Sequence, residues 1–299
     1  NFDPISIKEN INKMNFGDVC LFENVRFYPE EEENNLDFVK KLSINFDVYV
    51  NDAFSASHRN HASIVGFPNF LPSIAGYSLI NEIKNLENFI NNKKKPNFAI
   101  IGGSKISSKI NLLNNLIKFC DYLFIGGAMA NTFLYATDYN VGNSICEKEL
   151  SETAISILRK ANNSNCEIIL PLDVICSKDL NDKNYLSCDI NKIPSDTMIL
   201  DIGQKTTQTI SKYIYKSNMI LWNGPLGAFE YEPYEKGSIE VANMLKSYVK
   251  LSKIPCIAGG GDTIAAIKMA KALDGFTYIS KAGGAFLEWL EGNGSPGVN

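Results

Sequence analysis

The sequence predicts an α/β protein with two doubly wound parallel-sheet domains joined by a helix, the first domain incomplete. Two observations carry most of this. From residue 96 onward, short apolar runs ending in Gly or Pro alternate with helical patterns. The runs are continuous rather than alternating, which suits strands buried on both faces of a parallel sheet. A third observation separates the two halves: residues 1–75 hold only two such runs around one helical segment. Two strands and a helix cannot close a doubly wound domain.

In chain order, GDVCLFENVRF (17–27) and FDVYVNDAF (46–54) are predicted strands, with a helix over 35–44 between them. GYSLINEIKNLENFIN (76–91) places Leu79, Ile83, Leu86 and Ile90 at helical spacing. It reads either as the helix joining the domains or as an ordinary helix of the second. NNKKKPN is a loop closed by Pro96. The runs that follow are 98–103, 122–130, 167–175, 198–203, 218–224, 255–261 and 278–284, and all seven are expected in one sheet. The predicted organisation is a partial first domain (1–75), a joining helix (76–95), a second α/β domain (96–285) and a C-terminal segment (286–299).

Composition excludes several function classes. The 299 residues carry a net charge of −4, so a general nucleic-acid binder is not expected. The longest like-charge runs, Glu30–Glu33 and Lys93–Lys95, read as solvated surface. Seven cysteines lie singly without CxxC spacing, and only His58 and His61 could join them, which argues against zinc. Reduced thiols suit a cytoplasmic protein. No run approaches membrane-spanning length, and the first residues lack the pattern of a signal peptide.

The sharpest motif is PCIAGGGDTIAAIKMAKA (255–272), an apolar run that ends in Gly259, Gly260 and Gly261 before Asp262 and Thr263. Glycines let backbone N–H groups approach a ligand, and a helix start favours anions. A bare carboxylate would repel phosphate unless a divalent cation bridged the two, so the turn reads as a metal–nucleotide site. The alternative is an Asp helix cap after a packing turn. GGSKISSK (102–109) offers Gly102, Gly103, Lys105 and Lys109, the lysines sharing a face if the segment is helical. An anion there would offset two ammonium groups opposing the helix dipole; a solvated lysine pair is the alternative. This is not a Walker A loop.

WNGPLGAFE (222–230) sets Asn223 to donate to a phosphate and Glu230 to accept from a ribose, or else is a rigid turn. Arg26, and Arg59 with His61 in a loop, suit carboxylate or phosphate recognition, though a lone Arg is more often surface. No nucleophile elbow accompanies the two histidines, which disfavours a hydrolase. The absence of GxGxxG followed by an acid disfavours a dinucleotide dehydrogenase.

ENVRFYPEEE, VNDAFSASHRNHAS, IGGSKISSKI, WNGPLGAFE, GGGDTIAAI and AGGAFLEWLEGNGSPGV, in this order, closely resemble the phosphoglycerate kinase family over essentially the whole chain. The resemblance implies two doubly wound domains about a hinged cleft, one for Mg2+ with ADP or ATP, the other for 3-phosphoglycerate or 1,3-bisphosphoglycerate. It implies phosphoryl transfer between 1,3-bisphosphoglycerate and ADP by a cytoplasmic monomer, with neither nucleic acid nor membrane as partner. It makes Arg26, Arg59 and His61 substrate ligands, and Lys105 and Lys109 phosphate contacts, with Lys109 steadying the phosphoryl in flight. Gly126 and Gly127 would line the adenine slot. Asn223 would contact the triphosphate, Glu230 the ribose, Asp262 the magnesium and Thr263 the phosphates. Gly283 and Gly284 would leave room beside the transferring group.

The chain departs from the family pattern at Lys281, where Thr is usual, at Ala282, often Gly, and at DIGQ (201–204). By the same resemblance the family's opening strands and a further catalytic arginine are missing from these residues. A nucleotide-binding module without catalysis is therefore the alternative. Aggregation or local disorder is expected in residues 1–75.

Overall fold

The computed structural model describes residues 4–292 and 294–298. Residues 1–3, 293 and 299, which the predicted segments included, lie outside the described residues. The chain divides into two compact units between Lys84 and Asn85, and the C-terminal residues from 294 group with the first unit.

The second unit is built on a six-stranded parallel sheet. Its strands are β3 (Asn97–Ile101), β4 (Tyr122–Ile125), β5 (Glu167–Ile169), β9 (Met219–Asn223), β10 (Cys256–Gly259) and β11 (Tyr278–Ser280), in the order β11-β10-β9-β3-β4-β5. The chain enters at β3, winds out to β5, then returns beside β3 at β9 and winds the other way. That reversal is a topological switch point, where open α/β sheets form their ligand crevice beyond the strands' carboxyl ends. Every residue of β3 and β9 is buried, as continuous apolar runs require. Phe98, Ile100, Phe124, Ile220 and Trp222 form the centre of the core.

The expectation of seven runs in one sheet is corrected. The run 167–175 splits into β5 and β6 (Asp173–Ser177), and the run 198–203 is β8 (Met198–Ile202). With β7 (Leu186–Asp189), β6 and β8 form a separate antiparallel sheet of order β7-β6-β8. Pro171 lies at the split; it has no N–H to continue a ladder, and the strand changes sheets beyond it. The chain around the sheets is helical: α5 (Ile110–Leu116), α6 (Gly127–Ala136), α7 (Ser151–Asn163), α8 (Gln204–Lys216), α9 (Lys236–Ser252), α10 (Gly261–Met269) and α11 (Gly283–Leu290).

The first unit holds α1 (Pro4–Ile11), α2 (Pro29–Glu32), α3 (Leu36–Ser43), and two parallel strands, β1 (Tyr49–Asn51) and β2 (Ser73–Ala75). Its core joins Ile7, Val39, Leu42, Ala62 and Phe67, with Tyr49 stacked on Phe67 at 5.5 Å. The predicted helix over 35–44 is α3. The predicted strand over 17–27 is not formed: residues 18–24 are irregular and Val25–Phe27 make a 3-10 turn. A strand exists only within a ladder, and among the described residues nothing pairs with this segment. Val19 and Leu21 stand almost fully exposed. The predicted helix over 76–91 is α4 (Tyr77–Ile90), begun where the Asp52 carboxylate accepts the N–H groups of Ser78 (2.6 Å) and Leu79 (3.0 Å).

Candidate functional site

At the switch point, Ile101 of β3 lies in register with Asn223 of β9. The turns beyond them are welded by backbone hydrogen bonds. Gly102 N–H donates to the Asn223 carbonyl (2.9 Å), Gly103 N–H to Pro225 (3.2 Å) and Gly127 N–H to Leu226 (3.1 Å). The packing leaves no space for side chains: a Cβ on Gly102 would lie 1.9 Å from the Pro225 carbonyl oxygen, and one on Gly127 2.5 Å from that of Gly103. Gly126 closes on Leu226 and Phe124 at 2.8 Å, and Gly259 on Phe286 at 2.5 Å. The turns after β10 and β11 are different. A Cβ on Gly261 or Gly283 would meet nothing within 4 Å. Gly284 follows in the first turn of α11 and is exposed.

Polar groups connect these turns. Lys109 Nζ donates to Asn223 Oδ1 (2.5 Å), and Asn223 Nδ2 donates to the Gly259 carbonyl (2.7 Å). Thr263 Oγ1 accepts the Gly224 N–H (2.7 Å). Gly260, at φ 95°, would bring a Cβ within 2.9 Å of Asn223 Nδ2. Burial pushes the Lys109 amine down to about 8, while the Asp262 carboxylate pulls the other way. Gly260, not Asp262, caps α10; the Asp262 side chain is exposed in the first turn and has no hydrogen-bond or ion-pair partner among the described residues. The helix-cap alternative for Asp262 therefore fails. The shared helical face for Lys105 and Lys109 is also corrected. Residues 105–109 form a turn and α5 begins only at Ile110, so Lys105 is exposed while Lys109 turns inward.

Beside these turns lies a cavity of about 330 Å³, walled by Gly127, Ala128, Ile199, Leu200 and Leu226, with Glu230 and Asp262 also on its lining. An apolar slot with a few polar groups on its lining is the usual form of a small-ligand site. Beneath one wall sits a residue that the sequence reading missed. Asp201 is fully buried, accepting the N–H groups of Gly237 (2.7 Å) and Ile202 (2.8 Å). Burial raises its carboxyl to about 8 against those two hydrogen bonds, with Glu235 and Glu240 adding to the rise. The one signal for it was a charge inside the apolar run MILDIG.

In the first unit, Arg26 lies in the Val25–Phe27 turn, where Asn24 Oδ1 accepts the Arg26 N–H (3.1 Å). Arg26 and Arg59 are exposed, and neither forms an ion pair among the described residues. His61 Nδ1 lies 3.7 Å from Glu31 Oε1. Glu31 is itself buried, accepting the Ser63 N–H (2.8 Å) and hydroxyl (2.6 Å). The acidic run is thus not all solvated surface: one of its members organises the turn after His61. Asn51 Nδ2 donates to the Gly297 carbonyl (2.9 Å), fixing the C-terminal segment within this unit.

A doubly wound sheet with a lysine and an amide on its switch-point turns, and open glycine turns after the neighbouring strands, defines an α/β protein with a small-ligand crevice beyond its strand ends. Residues 4–293 match the family model for phosphoglycerate kinase. The chain is 48% identical over 289 residues to the phosphoglycerate kinase of Mesorhizobium japonicum, covering 96% of this chain and 72% of that protein. It is 48% identical over 290 residues to that of Agrobacterium fabrum, again covering 96% and 72%. Among solved structures, phosphoglycerate kinase from Coxiella burnetii superposes with a TM-score of 0.87 at 40% identity, over 92% of this chain and 71% of that one. That from Pyrococcus horikoshii gives 0.83 at 29% identity, over 97% and 74%. The chain belongs to the phosphoglycerate kinase family, whose members are transferases.

Proposed function

We propose that this chain binds Mg-ADP or Mg-ATP on its second unit and transfers a phosphoryl group between 1,3-bisphosphoglycerate and ADP. The observation that carries the nucleotide reading is the Lys109–Asn223–Gly259 relay beside the unpartnered Asp262, next to an apolar cavity with Glu230 on its lining. An adenine ring suits the apolar walls by Gly126 and Gly127, and the Glu230 carboxylate suits ribose hydroxyls. Lys105, Lys109, Asn223 and Thr263 supply donors for the phosphates, and the turns at Gly261 and at Gly283 and Gly284 leave room for them, with Gly259 and Gly260 packed beneath. An exposed carboxylate without a partner fits a divalent cation, so Asp262 would hold the magnesium ion, which supplies charge neutralisation at the phosphates.

In the forward direction the acyl phosphate's P–O bond breaks and a bond forms from phosphorus to a terminal oxygen of ADP. The attacking oxygen belongs to the substrate, so no protein nucleophile is needed. The protein positions the groups, offsets charge and excludes water. Lys109, charged below about pH 8, is suited to steady the moving phosphoryl. Arg26, Arg59 and His61 are proposed to hold the glycerate substrate. The same reading makes the protein a cytoplasmic monomer acting on small molecules, with no nucleic-acid or membrane partner.

One observation favours a second reading, nucleotide binding with little turnover: the exposed apolar segment around Val19 and Leu21 in the unit that bears Arg26 and Arg59. A coupled ATP-forming assay separates the two, because measurable turnover excludes the binding-only form. Asp262→Asn tests the metal ligand. Calorimetry is expected to show at least about tenfold weaker binding of Mg-ADP, with metal-free ADP nearly unchanged. Equal losses with and without magnesium would remove Asp262 from the metal site.

A further inference from the structure

We propose that Glu147 is a positioning residue for the phosphate-facing turn, holding Lys105 and Lys109 where a nucleotide needs them; this rests on the nucleotide reading above. The turn leaves β3 with its Ile106 side chain fully buried as a pin. Its next residue is held from outside. Glu147, in the stretch before α7, accepts the Ser107 N–H on Oε2 (3.0 Å) and the Ser107 hydroxyl on Oε1 (2.5 Å). Both carboxylate oxygens are thus committed to a turn bearing two lysines.

The electrostatics agree with this geometry. What burial the carboxyl has pushes it up, but the Ser107 and Ile106 hydrogen bonds and the nearby Lys105 leave it below the usual carboxylate range. Glu147 is anchored in turn: its own N–H donates to Thr132 Oγ1 (3.1 Å), and Thr132 is buried on α6. That helix opens at Gly127, on the wall of the cavity. Glu147 therefore ties the lysine turn to the same helix that shapes the base slot.

Residues 105–109 form a turn rather than a helix, and the clamp is part of the bonding that fixes it. Ser107 N–H is spent on Glu147, and Ser108 Oγ donates to the Lys105 carbonyl (3.0 Å). Lys109 N–H then closes the turn on Ile106 (2.8 Å), which aims the amine at Asn223. Side-chain bonds of this kind compete with helix formation. Without Glu147 the turn loses the two bonds that tie Ser107 to the segment anchored on α6, and both lysines lose that support for their direction. A carboxylate beside a phosphate site costs long-range attraction, so any benefit of Glu147 must come through placement.

The test uses the 299-residue chain and its Glu147→Ala and Glu147→Gln variants. Calorimetry measures Mg-ADP and adenosine, and amide hydrogen exchange follows residues 105–109. For Glu147→Ala we expect Mg-ADP to bind about tenfold more weakly and adenosine within about twofold of wild type, with faster exchange in the turn. Glu147→Gln, which keeps one acceptor, should recover part of the loss. In a background carrying both Lys105→Ala and Lys109→Ala, Glu147→Ala should add less than about twofold, since it acts through the lysines. Equal losses for adenosine and Mg-ADP would mean general damage and overturn the assignment, as would unchanged or tighter Mg-ADP binding. A wild-type chain that binds no nucleotide sinks the functional reading instead. The clamp is then judged by exchange alone, and wild-type protection at 105–109 in Glu147→Ala overturns it.

Discussion

The turns at the carboxyl edge of the large sheet are of two kinds. After β3, β4 and β9, most of the glycines are there because neighbouring atoms already occupy the space a side chain would take: Gly102 meets the Pro225 carbonyl, Gly127 that of Gly103, and Gly126 the Leu226 and Phe124 side chains. After β10 and β11, Gly261 and Gly283 face open space. In sequence most of both kinds look alike, as Gly pairs or triplets closing apolar runs, with Asn-Gly-Pro after β9 the exception. The closed turns build the floor of the site, and the open ones leave room above it. A glycine motif is thus informative about ligands only once the volume around each residue is known.

The largest expected effect breaks the comparison at its extremes. Gly102→Ala places a methyl against backbone that has no freedom to yield, and should destabilise the protein by on the order of 3 kcal/mol. Gly261→Ala lies at a helix start with nothing near it, and should change stability by less than about 0.5 kcal/mol. Its effect should fall on Mg-ADP affinity, because a methyl would project where the phosphates approach. Denaturant unfolding and calorimetry on both variants decide. If the two lose stability equally, the distinction between closed and open turns has no energetic meaning.

A mid-sized effect sharpens the comparison at the group spanning both kinds of turn. Lys109 reaches from the turn after β3 to Asn223, which in turn holds Gly259 of β10. Its amine titrates near 8, lowered by burial, so the charge is present below that pH and lost above it. Mg-ADP affinity should therefore fall as pH rises from 7 to 9, by up to about tenfold per unit beyond the pKa. Lys109→Arg keeps its charge throughout this range and should flatten the profile, whatever its absolute affinity. A wild-type profile that is already flat would show that Lys109 stays protonated or does not meet the phosphates.

How legible the site was in the sequence follows the same division. Asp262, Lys109 and Asn223 stood out because phosphate chemistry needs particular residue types at strand ends, and that need is written locally. Glu31 and Glu147 did not. Glu31 looks like one acid among four until Ser63 is folded onto it, and Glu147 has no motif at all; both act through partners more than 30 residues away. The large sheet was legible because its strands are continuously apolar. The small sheet was not, since Leu186–Asp189 is partly exposed and becomes a strand only by pairing with β6. The segment 17–27 erred in the opposite direction. Its aromatic and branched residues favour a strand, but propensity without a ladder partner does not make one.

The effect expected to reach the ligand least concerns the support under the closed turns. A Cβ on Gly227, in the turn after β9, would lie 2.3 Å from Asp201 Oδ1, so this loop rests directly on a buried carboxyl. Burial raises that carboxyl to about 8, far above its value in an unfolded chain. Between about pH 4 and pH 8 the folded state therefore holds a proton that the unfolded state has released. With more protons bound in the folded state, stability must fall as pH rises through that window, and level off above about 8. Asp201→Asn removes this titration. Its melting temperature relative to wild type should climb from pH 4.5 to pH 8, by about 2–4 °C for each kcal/mol of linkage. The absolute difference at any one pH also contains the cost of an amide N–H facing a backbone donor, so the slope is the informative quantity. A flat profile over this range would mean that the two backbone N–H groups hold Asp201 ionised, and that the closed turns rest on a buried charge rather than a neutral acid.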